Sequence, residues 1–160
     1  MTRVALMASP RDVARAVLAG QGIEAALGRH ALLRGDGWPH ADSANALRGL
    51  ADHGTGEGCF LVVRREQDGR EVVVGDCGWC GPPGGDGVVE IGYGLAPPAR
   101  RQGLGTEAVQ LLLHWVREQP GVREVTAEVL VGNEPSLRLL ARVGLSVVGR
   151  TGDHVVLSDR

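Results

Sequence analysis

Arg100 and Arg101 stand just ahead of the turn Gly103-Leu104-Gly105-Thr106, and that turn opens a long amphipathic helical pattern. Residues of these types at this spacing are suited to holding phosphate. Glycine lets backbone N–H groups point outward, and the positive end of a helix dipole stands behind them. The two arginines add fixed charge and forked donors that match phosphate oxygens. Thr106, in the first helical turn, can add a hydroxyl. A second junction, Asn133-Glu134-Pro135-Ser136, lies where the next strand gives way to the next helix. An Asn and a Ser there face whatever lies at the open end of the sheet, and Asn133 also suits a helix cap.

The elements that must position these residues follow from periodicity. Arg3 to Ser9 reads as a first strand, with Ser9-Pro10 starting a helix over Arg11 to Leu18. Glu24 to Leu33 has helical character before Gly35, Gly37 and Pro39 break the chain. A further helix is expected from about Ala41 to Asp52, with Leu47 and Leu50 inward, ended by the glycines at 54, 56 and 58. Three successive antiparallel strands are expected at Cys59–Arg65, Glu71–Trp79 and Val88–Leu95, joined by Gln67-Asp68-Gly69-Arg70 and by the Gly81–Gly87 turn. In the third of these, Val89, Ile91, Tyr93 and Leu95 share one face and Glu90, Gly92 and Gly94 the other. Leu104 to Arg117 is the clearest helix, with Leu104, Ala108, Leu111, Leu112 and Trp115 at helical spacing. A strand over Glu124–Val131, a helix capped by Asn133 and closed by Gly144, and strands at Leu145–Gly149 and His154–Leu157 complete the chain. The order β-α-α-β-β-β-α-β-α-β-β describes a single α/β (α+β) domain over residues 1–160. Its mixed, mostly antiparallel sheet has about seven strands flanked by about four helices.

Three groups of residues carry a family resemblance. They are Glu90-Ile91-Gly92-Tyr93 with Leu95-x-Pro97, then Arg100-Arg101-Gln102-Gly103-Leu104-Gly105-Thr106-Glu107-Ala108, then Asn133-x-x-Ser136-x-x-x-Leu140-x-x-x-Gly144-Leu145. Together they resemble the GNAT family of N-acetyltransferases, and within it the branch of ribosomal-protein alanine N-acetyltransferases. Residues 88–149 carry the likeness, whereas the N-terminal third, which usually sets acceptor specificity in the family, is only loosely similar. The resemblance implies acetyl-CoA as co-substrate, with Arg100 to Thr106 cradling its pyrophosphate. It implies that strand 88–95 bulges and splays from strand 124–131. The pantetheine arm would lie between them, bonded to the backbone of Leu95, Ala96 and Pro97 and to Asn133. Gly92 and Gly94 weaken that strand and suit a bulge.

The implied reaction is direct attack of a primary amine on the thioester. Such an amine has a pKa near ~10, so only about a thousandth is nucleophilic at pH 7. A base is therefore useful, and Glu90 is the candidate, with Glu128 in reserve. The late tyrosine that many family members use to protonate the leaving thiolate is missing, because the one tyrosine, Tyr93, lies on the apolar strand face. In the branch this chain resembles, the serine after the Asn serves, which points to Ser136. The segment Gly37 to Asp42 could line the acceptor pocket, either with Trp38 as an apolar wall or with Trp38 as ordinary packing. Asp42 is better read as a cap for the following helix than as part of an acidic acceptor site.

Composition excludes several classes. The apolar fraction of 43% is globular, and a net charge of −2 argues against nucleic-acid binding. No run approaches the ~20 apolar residues of a membrane span, and no signal peptide is evident, so a cytoplasmic protein is expected. All 17 basic residues are arginine, which fits a GC-rich bacterial genome and rules out a lysine Schiff base. Cys77-Gly78-Trp79-Cys80-Gly81-Pro82-Pro83 nearly spells a thioredoxin motif, but Pro stands at 83 where cysteine is needed. Cysteines three apart on a strand also face opposite sides, and no second pair completes a zinc site, so neither metal nor redox chemistry is expected. His114, on a helix, reads as a surface or partly packed residue. Two rivals stay open, a non-catalytic acyl-CoA sensor on the same fold and a dinucleotide-binding oxidoreductase using Gly103-x-Gly105-x-x-Ala108 with Glu124. The acceptor amine and a homodimeric state also stay open.

Overall fold

The strand with alternating Val89, Ile91, Tyr93 and Leu95 takes the central place in the sheet of the computed structural model, which describes residues 2–53 and 57–160. The elements run β1 (Val4–Ala8), α1 (Arg11–Ala19), α2 (Ile23–Gly28), β2 (Leu33–Arg34), α3 (Ser43–His53), β3 (Cys59–Arg65), β4 (Glu71–Trp79) and β5 (Val88–Leu95). They continue with α4 (Leu104–Arg117), β6 (Glu124–Leu130), α5 (Glu134–Arg142), β7 (Ser146–Thr151) and β8 (His154–Ser158). The sheet order is β1-β3-β4-β5-β6-β8-β7, with β2 attached to β4. Neighbours are antiparallel except β2–β4 and β5–β6. β5 and β6 are parallel because α4 carries the chain back across the sheet between them.

Strand alternation divides the core in two. Val89, Ile91, Leu95, Val125, Ala127 and Val129 meet α4 and α5 on one face. Leu61, Val63 and Val73 meet α1, α2 and α3 on the other. Each such aliphatic side chain contributes about 1.5–3 kcal/mol of burial. The buried stripe of α4 is wider than expected, because Val109, Leu113 and Val116 are buried beside Leu104, Ala108 and Leu112. The helix is wedged among β1, β4, β5 and α5, so more than one of its faces is covered. Among the described residues, no helix is long and apolar enough to cross a membrane.

Several expectations are corrected. The 24–33 segment is not one helix. α2 ends at Gly28, a turn follows with Ala31 at φ 57°, and Leu33–Arg34 joins β4 as a short parallel strand. Among the described residues there are eight strands and five α-helices. Ser9 does not cap α1: the cap position is Pro10, and the buried Ser9 hydroxyl has no partner among the described residues. Nor does the Asp42 side chain cap α3 among the described residues: its backbone N–H donates to His40 Nδ1 at 3.3 Å and its carbonyl accepts from Ala46 N–H. Leu47 is buried as expected. The side chain of Leu50 and the glycines at 54 and 56 lie outside the described residues.

Trp38 is fully buried in the helical-layer core, which settles it as packing rather than a pocket wall. Its Nε1–H donates to Asp76 Oδ2 at 2.9 Å, and Ser43 Oγ donates to the same oxygen at 2.6 Å. His40 Nε2 stands 3.2 Å from Oδ1, off the direction of a good hydrogen bond. Its ring lies against Gly94, where a Cβ would come within 2.5 Å of it. A carboxylate inside β4 thus ties the α2–α3 connection to the sheet. Asp76→Ala is expected to cost about 3 kcal/mol, since each donor left buried without an acceptor costs roughly 1–3 kcal/mol. Asp76→Asn, which keeps one acceptor, should lose less. Urea unfolding followed by circular dichroism measures both.

Candidate active site

The parallel pairing of β5 with β6 stops at Ile91 opposite Ala127, although β5 continues to Leu95 and β6 to Leu130. Beyond that point β6 keeps its partner β8 through Leu130–His154, and β5 keeps β4 through Leu95–Gly75. The sheet therefore opens between its two central strands. The expected bulge is absent: the β4–β5 register is unbroken, and the irregularities fall at Val62/Val63 and Val147/Gly149. The strands separate by divergence alone. A cleft of about 1140 Å³ lies at the opening, bordered by Gly92 and Tyr93 of β5, Glu128 of β6, and Asn133 and Ser136 at the start of α5. His40 and Asp42 border it from the α2–α3 connection.

Ser136 is half-buried, and its N–H donates to Asn133 Oδ1 at 3.4 Å, so Asn133 is the cap of α5. Tyr93 keeps to the apolar face, yet its ring borders the cleft. Burial raises its phenol pKa, partly offset by Ser136. Ser136 is thus close, but no hydrogen bond of good geometry joins them, and the buried Tyr93 hydroxyl has no partner among the described residues. Glu90 lies opposite Thr126 in the closed part of the β5–β6 ladder, exposed and outside the residues that line the cleft. Burial raises its carboxyl above the ordinary value, the charge of Glu128 raises it further, and His154 opposes both. Neither the approach of Ser136 to Tyr93 nor the effect of His154 on Glu90 was legible in the sequence. Both relations join residues distant in the chain. The one available hint was that Tyr93 is the chain's sole tyrosine and sits next to the strand's glycines.

The Arg100–Thr106 turn stands apart from the cleft lining, at the end of β5 and the start of α4. Gly103 caps the helix at φ 78°. A Cβ on Gly105 would meet Leu139 of α5 at 3.1 Å, so the loop adjoins the helix that carries Ser136. Among the described residues, none of the backbone N–H groups from Arg101 to Thr106 has a hydrogen-bond acceptor in the protein. The first turn of a helix leaves such donors free, and here the run extends into the loop before it. Arg101 itself takes a left-handed φ of 64°. The Arg100 guanidinium donates to Leu95 O at 3.0 Å, and Gln102 donates to Pro98 O at 3.0 Å. The backbone at Leu95 to Pro97 is largely committed internally: Ala96 N donates to Val74 O, Ala96 O accepts from Ala99 N, and Pro97 has no N–H.

The cysteines separate as expected, Cys77 buried and Cys80 exposed. Burial pushes the thiol of each up, and that of Cys77 furthest. His114 is a surface residue, 3.4 Å from Glu118. No cluster of three or more His, Cys, Asp or Glu able to hold a metal occurs among the described residues.

The sequence profile described as the acetyltransferase (GNAT) domain matches residues 8–146. The chain belongs to this acetyltransferase family. An uncharacterized N-acetyltransferase of Bacillus subtilis, YjdG, is 28% identical over 123 residues, covering 73% of this chain and 71% of that protein. Among solved structures, RimJ of Mycobacterium smegmatis in complex with CoA-disulfide superposes with a TM-score of 0.62 at 22% identity, over 97% of this chain and 80% of that one. A GNAT-family acetyltransferase of Bacillus anthracis does so with a TM-score of 0.63 at 16% identity, over 98% and 93%. These two structures share the fold. Membership makes the chain an acyltransferase and sets aside the oxidoreductase reading.

Because Glu128 is one of the causes raising Glu90, Glu128→Gln should move the Glu90 carboxyl back toward the ordinary carboxylate range. A carbon-13 NMR titration of the glutamate side chains measures this, with a downward shift expected. An unmoved Glu90 would mean that burial alone sets its value.

Proposed function

We propose that the chain transfers an acetyl group from acetyl-CoA to a primary amine, either a protein N-terminus or a small molecule, by direct attack in a ternary complex. The observation that carries this reading is the run of N–H groups from Arg101 to Thr106 without an acceptor among the described residues, at the N-terminus of α4 and the end of β5, the strand whose divergence from β6 opens the cleft. Such a run, with Arg100 and Arg101 beside it, suits the pyrophosphate of coenzyme A. RimJ of M. smegmatis, similar in fold, is known with CoA-disulfide, which supports the same ligand here. The pantetheine arm would then descend through the opening past Asn133, and the thioester would lie near Ser136.

The amine enters protonated and must lose a proton before its nitrogen can form the C–N bond. Glu90 is assigned as the base. Its raised carboxyl is a better proton acceptor than an ordinary glutamate. As the C–N bond forms, the C–S bond breaks; the thiolate takes a proton from Ser136, and the serine regains one from the nitrogen of the new amide. Activity should fall as pH drops through the Glu90 pKa, because only the carboxylate accepts the proton. That acid limb should therefore lie above the ordinary carboxylate range, and Glu128→Gln should move it to lower pH.

Acetyl-CoA should raise the melting temperature and NAD should not. At a hundred times Kd a ligand adds about 2.7 kcal/mol. Gly103→Asp should abolish that rise by placing a carboxylate among the loop donors, and a wild-type rise in this variant would refute the loop's role. Ser136→Ala should lower kcat with little change in acetyl-CoA affinity, read by thiol release over a panel of amines. Tight acetyl-CoA binding without turnover on any amine would favour a sensor instead.

A further inference from the structure

Arg3, ahead of β1, lies far from the phosphate-type loop in sequence and against it in space. Its backbone N–H donates to Glu107 Oε2 at 2.9 Å and its Nε to Glu107 Oε1 at 3.0 Å. Glu107 sits in the first turn of α4, just past the unpartnered N–H groups. The outer end of the guanidinium continues toward the loop: Arg3 Nη2 is 2.9 Å from where a Cβ on Gly103 would stand. No hydrogen bond from Nη1 or Nη2 is formed among the described residues. The side chain is 53% exposed, so its free edge is reachable.

The pairing also resolves an electrostatic conflict. A carboxylate in the first turn favours the helix dipole but repels an anion arriving at the same N-terminus. Burial alone would raise the Glu107 carboxyl, but its bonds to Arg3 outweigh that and hold it below the ordinary value. It stays ionised while its charge is matched by Arg3. Meanwhile Arg100, which the sequence offers as a phosphate ligand, spends its Nε on Leu95 O. The free N–H edge lying over Gly103 is that of Arg3.

We propose that Arg3 is a phosphate-binding residue of the acetyl-CoA site, held by Glu107 so that its free guanidinium edge completes the cradle from Arg101 to Thr106. This rests on the reading of that loop as the pyrophosphate site. Glu107 is then a positioning residue for Arg3. Gly103 itself is fixed by its left-handed φ of 78°, and the absence of a side chain leaves the space between the guanidinium and the loop open.

The test compares acetyl-CoA with S-acetylpantetheine, which lacks the pyrophosphate and the nucleotide, by isothermal titration calorimetry on wild type, Arg3→Gln and Arg3→Lys. Wild type should bind acetyl-CoA much the more tightly. Arg3→Gln should weaken acetyl-CoA about tenfold, the scale of a lost charge-assisted hydrogen bond, and leave S-acetylpantetheine unchanged. Arg3→Lys, which keeps the charge without the fork, should fall between. The gap between wild type and Arg3→Gln should narrow as salt rises. Wild-type affinity for acetyl-CoA in Arg3→Gln would overturn the proposal. Equal weakening of both ligands would also overturn it, leaving Arg3 as a clamp of β1 on α4. A wild type that fails to prefer acetyl-CoA over S-acetylpantetheine would refute the loop reading itself, and the role of Arg3 with it.

Discussion

Backbone hydrogen bonding between β5 and β6 is complete up to Ile91–Ala127 and then ends, and the site depends on that break. Strand polar groups in a sheet interior need partners. Each strand keeps its outer neighbour, so the sheet stays whole while its middle opens. What borders the opening has no ladder to satisfy and is left to a ligand. The parallel arrangement follows from the α4 crossover, and the same crossover sets the helix N-terminus at the end of β5. The cleft and the N–H cradle are thus two consequences of one connection.

Charge is divided along this axis. The loop end carries Arg100, Arg101 and Arg3, with the carboxylate of Glu107 neutralised by Arg3. The cleft carries Glu128, whose charge raises the carboxyl of Glu90 on the adjoining strand. An arrangement of this kind suits an anionic carrier entering from one side and a cationic amine from the other. The buried knot of Trp38, Ser43 and Asp76 serves the second half. It holds the α2–α3 connection down on the sheet, so that His40 and Asp42 border the cleft.

Much of this was legible in the chain. Alternation gave β3, β4 and β5, and the 3.6-residue spacing of Leu104, Ala108 and Leu112 gave α4. Asn133 with Pro135 and Gly144 bounded α5. These features are local, and each is enforced by backbone geometry within a few residues. Ser9 and Asp42 were misread for a related reason. A short polar side chain before a helix is a fair cap by propensity, but the buried Ser9 hydroxyl has no partner among the described residues, and at Asp42 it is the neighbouring Ser43 whose hydroxyl bonds Asp76. The 24–33 segment failed because the pairing of Leu33–Arg34 with β4 overrides weak helical preference.

For this protein, the sequence by itself determined the order of elements, the glycine-bearing loop with its arginines and hydroxyl, and the resemblance that led to the acetyltransferase family. Tertiary structure alone decided which residues share a site. Residue 3 meets residue 107, residue 38 meets residue 76, and Ser136 comes beside Tyr93. It also decided that Arg100 turns back onto the chain and that the central strands part without a bulge. Such outcomes depend on where strands and helices come to rest against one another. No local periodicity encodes a contact between residues a hundred positions apart.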